Sequence, residues 1–206
     1  MDRLPVSYAL IAINTAISLM AFGSPQLLND FALVVGPTVQ GEYYRVLTAG
    51  FLHADFGHLL FNMLTLFFFG PVLEDRRALG KRDFLIVYFG SLLVGNLTAI
   101  FFNLNDPYYA AVGASGAISG VMLGVSLFAP FMIILIFGII PLPAILYAIL
   151  FVGISAFAMG THLGGIAHEA HLGGAIAGLV ITILLRPQVI QIFGFQVSRA
   201  LSRFRR

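Results

Sequence analysis

Apolar residues gather along this chain into blocks too long for an ordinary core helix. Six blocks stand out, at about 4–22, 56–74, 84–102, 115–129, 143–158 and 171–186. A helix needs roughly 20 predominantly apolar residues to cross the hydrocarbon of a bilayer. The pattern predicts an all-α membrane protein with six transmembrane helices in a single domain over 1–206, without a separate soluble domain. The first block follows Asp2 and Arg3, is long, and meets no small-x-small cleavage pattern before Ser24 and Pro25, so it reads as a retained helix.

The breaks between blocks carry turn chemistry. Asp106-Pro107 marks a loop, and Pro141 and Pro143 precede the fifth helix. The apolar stretch 130–142 is short and flanked by proline, which suits an extended or interfacial connector. Between helices one and two, 23–55 forms a long external loop punctuated by Gly23, Pro25, Gly36, Pro37 and Gly41. Loops of that length are usually functional or ordered by their own packing.

Composition agrees with the pattern. Hydrophobic residues make up 59% and charged residues 10%, with mean hydropathy +0.97, which excludes a soluble domain needing a charged surface. There is no cysteine, so disulfides and thiolate metal sites are excluded. The net charge of +2 says nothing about nucleic acid, because topology places the basic residues, and no nucleic-acid partner is expected.

With a cytoplasmic N-terminus, Arg3, Arg76, Arg77, Lys81, Arg82, Arg186, Arg199, Arg203, Arg205 and Arg206 all fall inside and Arg45 alone outside. The basic tail 187–206, and Ser198–Arg206 in particular, then rests on anionic lipid headgroups. The same orientation brings His53, His58, His162, His168 and His171 to the external side, where chemistry is therefore expected.

Ser115 starts the fourth helix within Gly113-Ala114-Ser115-Gly116. At ~1.5 Å per residue that helix is only about 22 Å long, against roughly 30 Å of hydrocarbon. Its N-terminus would lie below the external surface, with unpaired N–H groups tolerable only beside a water-filled cavity. A serine and free amides in a cavity suit a nucleophile with part of an oxyanion hole. Against this, Gly116, Gly120 and Gly124 form a small-residue series that alone would make Ser115 a packing residue.

His171 starts the sixth helix, with Gly174 and Gly178 at three and seven positions beyond it on one face. Glycine faces on helices four and six would let the backbones meet and bring His171 to Ser115 as general base, then general acid. A histidine there can also be a plain interfacial residue, although ionisable groups in membranes lean functional. His58 and Asn62 share a face of helix two and offer donors for an oxyanion, or a polar pair joining helices. His53 reads as structural.

Two signals are decoys. Gly113-Ala-Ser115-Gly-Ala117 lacks the last glycine of the nucleophile elbow and follows no strand. His168-Glu169-Ala170-His171 is one residue short of the H-E-x-x-H zinc motif, leaving a zinc site from His162, His168, His171 and Glu169 as a minor alternative.

Taken in order, Gly41-Glu42-Tyr43-Tyr44-Arg45, Phe51-Leu52-His53, His58-Leu-Leu-Phe-Asn62-Met63, Gly113-Ala-Ser115-Gly116 and Ala170-His171-Leu-Gly-Gly174-Ala-Ile-Ala-Gly178 resemble the rhomboid family of intramembrane serine proteases. The resemblance covers about Gly41 to Gly178 and implies a rhomboid-like six-helix bundle. It implies Ser115 as nucleophile and His171 as base, a dyad without a carboxylate, with His58, Asn62 and the Ser115 amide as the oxyanion hole. It implies transmembrane protein substrates, cut near the outer face, and no metal or cofactor. Glu74, Arg76 and Arg77 fall at the family's charged turn and read as cytoplasmic anchors. The chain departs at Tyr44, where members commonly carry Trp, and at Ser119, where many carry an aromatic packed on the catalytic ring. Another aromatic, or a different device, must then hold His171.

Two further functions compete. One is a catalytically inactive rhomboid-like protein that binds transmembrane helices, against which Ser115 and His171 both stand intact. The other is a transporter, disfavoured because the inner halves of helices four to six are almost wholly apolar. A compact design lacking a transit-peptide pattern points to a prokaryotic plasma membrane.

Overall fold

A computed structural model describes residues 4–136, 139–159 and 166–204 of the chain. His162 and the string 162–165, Arg3, Arg205 and Arg206 lie outside the described residues. Helix α1 runs Val6–Phe22, and the segment after it is folded rather than loose. It holds α2 (Pro25–Phe31), strand β1 (Leu33–Val34), α3 (Val35–Val39), α4 (Arg45–Thr48) and a 3-10 turn at Ala49–Phe51. Next come α5 (Phe56–Glu74), α6 (Lys81–Phe102), β2 (Ala110–Ala111) and α7 (Ser115–Phe128). The rest is a hairpin of β3 (Ile133–Ile136) and β4 (Ile140–Pro143), α8 (Ala144–Ala158), α9 (His168–Leu185) and α10 (Val189–Phe204). Among the described residues three helices, α5, α6 and α9, are long and apolar enough to cross a membrane, while α1, α7 and α8 are shorter apolar helices.

The six apolar blocks coincide with these helices, and the differences have physical causes. Helix α6 begins at Lys81, ahead of the apolar run, because Gly80 takes a left-handed φ of 77° and starts the helix directly. Helix α9 begins at His168, so His171 sits one turn inside the helix rather than at its start. Its amide already donates to the Ala167 carbonyl at 3.2 Å. Polar His168 and Glu169 had signalled a loop, yet both are buried, and an acidic group in the first turn favours a helix N-terminus.

The basic tail is a helix too. Val189, Phe193, Val197 and Ala200 recur at helical spacing in α10. Gln196 Nε2 donates to the Phe128 carbonyl at 2.7 Å and so caps the end of α7.

Helices α6, α7 and α9 form the most intimate packing. A Cβ at Gly174 would run into the Gly116 carbonyl, and one at Gly178 into the Gly120 backbone. Helix α6 joins this junction through Gly95, whose added Cβ would meet the Ala170 carbonyl, and through Ser91 beneath Gly120. The main apolar core lies alongside, around Leu66, Phe69, Leu73, Phe84, Val87, Tyr88 and Val121.

Polar side chains fasten the ends. Glu74 is buried and accepts from the Val6 amide at 2.7 Å and from the Ser7 amide and hydroxyl, each at 3.0 Å. It therefore caps α1 instead of anchoring at a surface. Arg186 at the end of α9 donates to the carbonyls of Ala78 and Leu79 and pairs with Asp83 at 3.1 Å. At the other end, buried Arg45 donates to the Asn29 and Ala32 carbonyls at 2.7 and 2.8 Å and pairs with Glu42 at 2.6 Å. Arg45 thus organises the segment between α1 and α5 from within. Tyr44 donates to Glu42 and the Asp30 carbonyl and lies 5.5 Å beneath the Arg45 guanidinium.

The glycine contacts generate a prediction. Gly178→Ala should destabilise the protein in detergent by about 1–3 kcal/mol, because backbone on both sides cannot yield. Gly153→Ala on α8, where an added Cβ meets nothing within 4 Å, should be neutral or mildly stabilising. Equal thermal unfolding of the two variants would refute the close approach of α7 and α9.

Candidate active site

Ser115 is the first residue of α7, and no side chain caps that helix. Its N-terminal amides are therefore available, as the first donors of any helix are. The chain arrives there through Gly113, whose φ of 127° lies in the left-handed region that favours glycine. The space where its Cβ would stand lies 2.7 Å from His58 Cε1, 2.8 Å from His58 Nε2 and 3.6 Å from Ser115 Oγ. Glycine at 113 thus serves both the turn and the room shared by the histidine edge and the serine hydroxyl. The Gly113 amide is tied to the Ala49 carbonyl at 2.9 Å, and β2 pairs with β1, so the folded segment after α1 holds the approach to Ser115.

His171 Nε2 lies 2.7 Å from Ser115 Oγ. The seam that permits this is the one formed by Gly116 and Gly174, next to Ser115 and one turn beyond His171 respectively. Both residues line a cavity of about 600 Å³ whose wall also includes His58, Asn62, Tyr147 and Phe151.

His58 is fixed by α5's own N-terminus. Asp55 is the N-cap, and its Oδ1 accepts the His58 amide at 2.8 Å. The Ala54 amide reaches His58 Nδ1 at 3.5 Å, a long contact that favours the ring proton on Nε2. Asn62 is buried one turn later, and its Nδ2 donates to the His58 carbonyl at 3.0 Å, leaving a second N–H on the same nitrogen.

Over residues 40–188, well over half of the chain, the sequence matches the family model described as Rhomboid domain. The chain belongs to the rhomboid family. It is 30% identical to Rhomboid protein 1, mitochondrial, of Saccharomyces cerevisiae, over 96% of this chain and 55% of that protein. It is 33% identical to Rhomboid protease GluP of Bacillus subtilis, over 78% of this chain and 28% of that protein. It is also 32% identical to Inactive rhomboid protein 1 of Rattus norvegicus, over 75% of this chain and 17% of that protein. The chain spans about half the length of the curated relatives it matches.

All four site residues expected from the sequence of this rhomboid line one cavity. His168 does not join Ser115; its ring meets His171 edge-on at 6.1 Å. Among the described residues no cluster of three or more His, Cys, Asp or Glu is arranged to hold a metal ion. The group that sequence reasoning missed is Phe151 of α8, whose ring stacks on His171 with centroids 5.2 Å apart and planes 29° apart. The available signal was a pair of aromatics one turn apart on α8, Tyr147 and Phe151. Ser119 bonds the Ser115 carbonyl at 2.6 Å and lends the ring no support.

His53 is structural, as its position suggested. Ser18 Oγ donates to the Phe51 carbonyl at 3.1 Å and lies 2.8 Å from His53 Nδ1, so the ring N–H on Nδ1 donates to Ser18. The far edge of the ring abuts His58, centroids 5.0 Å apart. Burial, then the charge of His58, push its pKa down to about 3, with Asp55 opposing.

Because that value lies below the ordinary 6.5, the unfolded chain binds the extra proton between about 3 and 6.5. Stability from His53 is therefore complete above 6.5 and is lost as pH falls. Thermal unfolding in detergent should show this loss between pH 7 and 4, and His53→Gln should flatten the slope. An unchanged slope in that variant would remove His53 as its source.

Proposed function

We propose that this chain is an intramembrane serine endopeptidase that cuts transmembrane segments of other membrane proteins near the outer face. The observation that carries the reading is the 2.7 Å contact between His171 Nε2 and Ser115 Oγ in a cavity that also holds His58 and Asn62. In the proposed cycle Ser115 Oγ attacks the scissile carbonyl while its proton passes to His171 Nε2. Charge on the tetrahedral oxygen meets the His58 Nε2–H, the Asn62 Nδ2–H and the Ser115 amide. His171 then returns the proton to the departing amine, and the acyl group stays on Ser115. A water gives a proton to the same nitrogen and attacks the ester; the tetrahedral intermediate then collapses, His171 returns that proton to Ser115 Oγ, and the acid is freed. The substrate backbone must be extended at the cut, because a hydrogen-bonded helix hides its carbonyls. No cofactor takes part in these steps.

In the same reading the six apolar helices all span the bilayer, within one rhomboid-like domain over 1–206. Arg76, Arg77, Lys81 and Arg82 in the α5–α6 turn, and Arg186 beside it, then face the cytoplasm with both termini. The site faces outward, in a prokaryotic plasma membrane. The three helices below spanning length fit this because α7, of 14 residues, need only reach from one face to a sunken Ser115.

A serine-directed fluorophosphonate tests the proposal without a known substrate. The wild type in detergent should be labelled, and Ser115→Ala and His171→Ala should not. Asn62→Ala should react ~10- to 1000-fold more slowly, as for other oxyanion donors, and a chelator should change nothing. A folded wild type that resists labelling would favour an inactive helix-binding protein. Inhibition by chelator reversed by zinc would revive a metal site.

A further inference from the structure

A single hydrogen bond to Ser115 fixes one nitrogen of His171 and leaves its ring free to turn about that contact. Among the described residues no side chain bonds the other nitrogen. Ser119, one turn after Ser115, spends its hydroxyl on a backbone carbonyl. The face of the imidazole is covered from another helix altogether, by the stacked ring of Phe151. His168 meets it only edge-on.

Phe151 belongs to α8, which has the fewest buried residues of the six apolar helices. The buried residues of α8 are Ala144, Ala148, Ser155 and Ala158, a row of small side chains. Ile149, Ile154 and Phe157 on its other face are 59%, 61% and 88% exposed. So narrow a buried strip removes little apolar area from water or lipid, and small shifts of the helix lose little packing. Its larger inward groups are two rings. Tyr147 lies 6.1 Å from Phe69 of α5 and 6.5 Å from Phe151. Four rings, Phe69, Tyr147, Phe151 and His171, thus run in sequence from α5 through α8 to α9.

We infer that Phe151 is a positioning residue for His171, so that the seating of α8 against the bundle sets what fraction of the Ser115–His171 pair is poised to react. The inference rests on the protease reading above. A flat ring stacked on the imidazole admits tilt but blocks rotation, whereas an aliphatic side chain of similar volume fills the space and permits both. With α8 displaced, the ring turns and Nε2 leaves the line to Oγ.

The test uses the full chain in detergent and a fluorophosphonate probe, separating probe affinity from the maximal inactivation rate. Phe151→Leu should lower the maximal rate roughly 2- to 10-fold, the span expected from losing an aromatic pair. Probe affinity and the thermal midpoint should stay in place. Phe151→Tyr should restore the rate, and Ile149→Ala, on the outward face of α8, should leave it unchanged. A wild-type rate in Phe151→Leu overturns the inference and leaves the protease reading standing. So does a loss confined to affinity, which makes Phe151 a pocket wall, or one that tracks the folded fraction. A wild type that is never labelled removes the protease reading itself.

Discussion

Backbone-to-backbone contact between α7 and α9 is the constraint on which the arrangement depends. Gly116 faces Gly174 and Gly120 faces Gly178, so closely that a single methyl on either α9 glycine has no place to go. In a lipid-facing bundle no hydrophobic effect presses helices together, and dense packing of small residues takes its part. The consequence for chemistry is direct. Ser115 precedes Gly116 and His171 lies one turn before Gly174, so the spacing that packs the glycines also sets the 2.7 Å contact between the two side chains. Helix α6 completes the junction through Gly95 and Ser91, so the packing that supports Ser115 and His171 is a three-helix unit.

Polar groups then do what apolar packing cannot, which is to fix the helix ends. Each end carries unpaired amides or carbonyls that are costly away from water. Glu74 satisfies the start of α1, Asp55 the start of α5, and Gln196 a carbonyl at the end of α7. Arg45 gathers two carbonyls of the segment before α5. The starts of α6, α7, α8 and α9 carry no side-chain cap, and that of α7 borders the cavity that holds Ser115. Uncapped amides beside a cavity are what an amide-based anion site requires.

Much of this was legible in the sequence because it is written in one dimension. Apolar block length located six helices, and glycines at helical spacing located the face that brings Ser115 and His171 together. Where polar residues lie inside helices the same logic fell short. Lys81, His168 and Glu169 interrupt hydropathy but not helical geometry, so α6 and α9 start earlier than their apolar runs. The amphipathic α10 was obscured by its basic residues, and Glu74 was read only as a cytoplasmic anchor because burial of a carboxylate shows only with its partners. Phe151 was out of reach for a stronger reason. Stacking on His171 depends on how α8 leans on α9, and no spacing within either helix encodes that.

The cavity consequently has two unlike sides. On one, glycine backbones of α7 and α9 meet with no slack, so a displacement there separates Ser115 from His171. On the other, α5 and α8 meet through ring contacts such as Phe69 with Tyr147, which slide and tilt at small cost. In the proposed reading the Ser115–His171 pair works without a carboxylate, so no third polar group pins its imidazole. Orientation must then come from packing, and here the packing is drawn from the yielding side. The two requirements of such a site, a fixed distance between Ser115 and His171 and a defined plane for the ring, are thus met by different contacts of different stiffness. Distance is set by backbone, which cannot change without repacking the bundle. Ring plane is set by a side chain on α8, which can change while the distance stays.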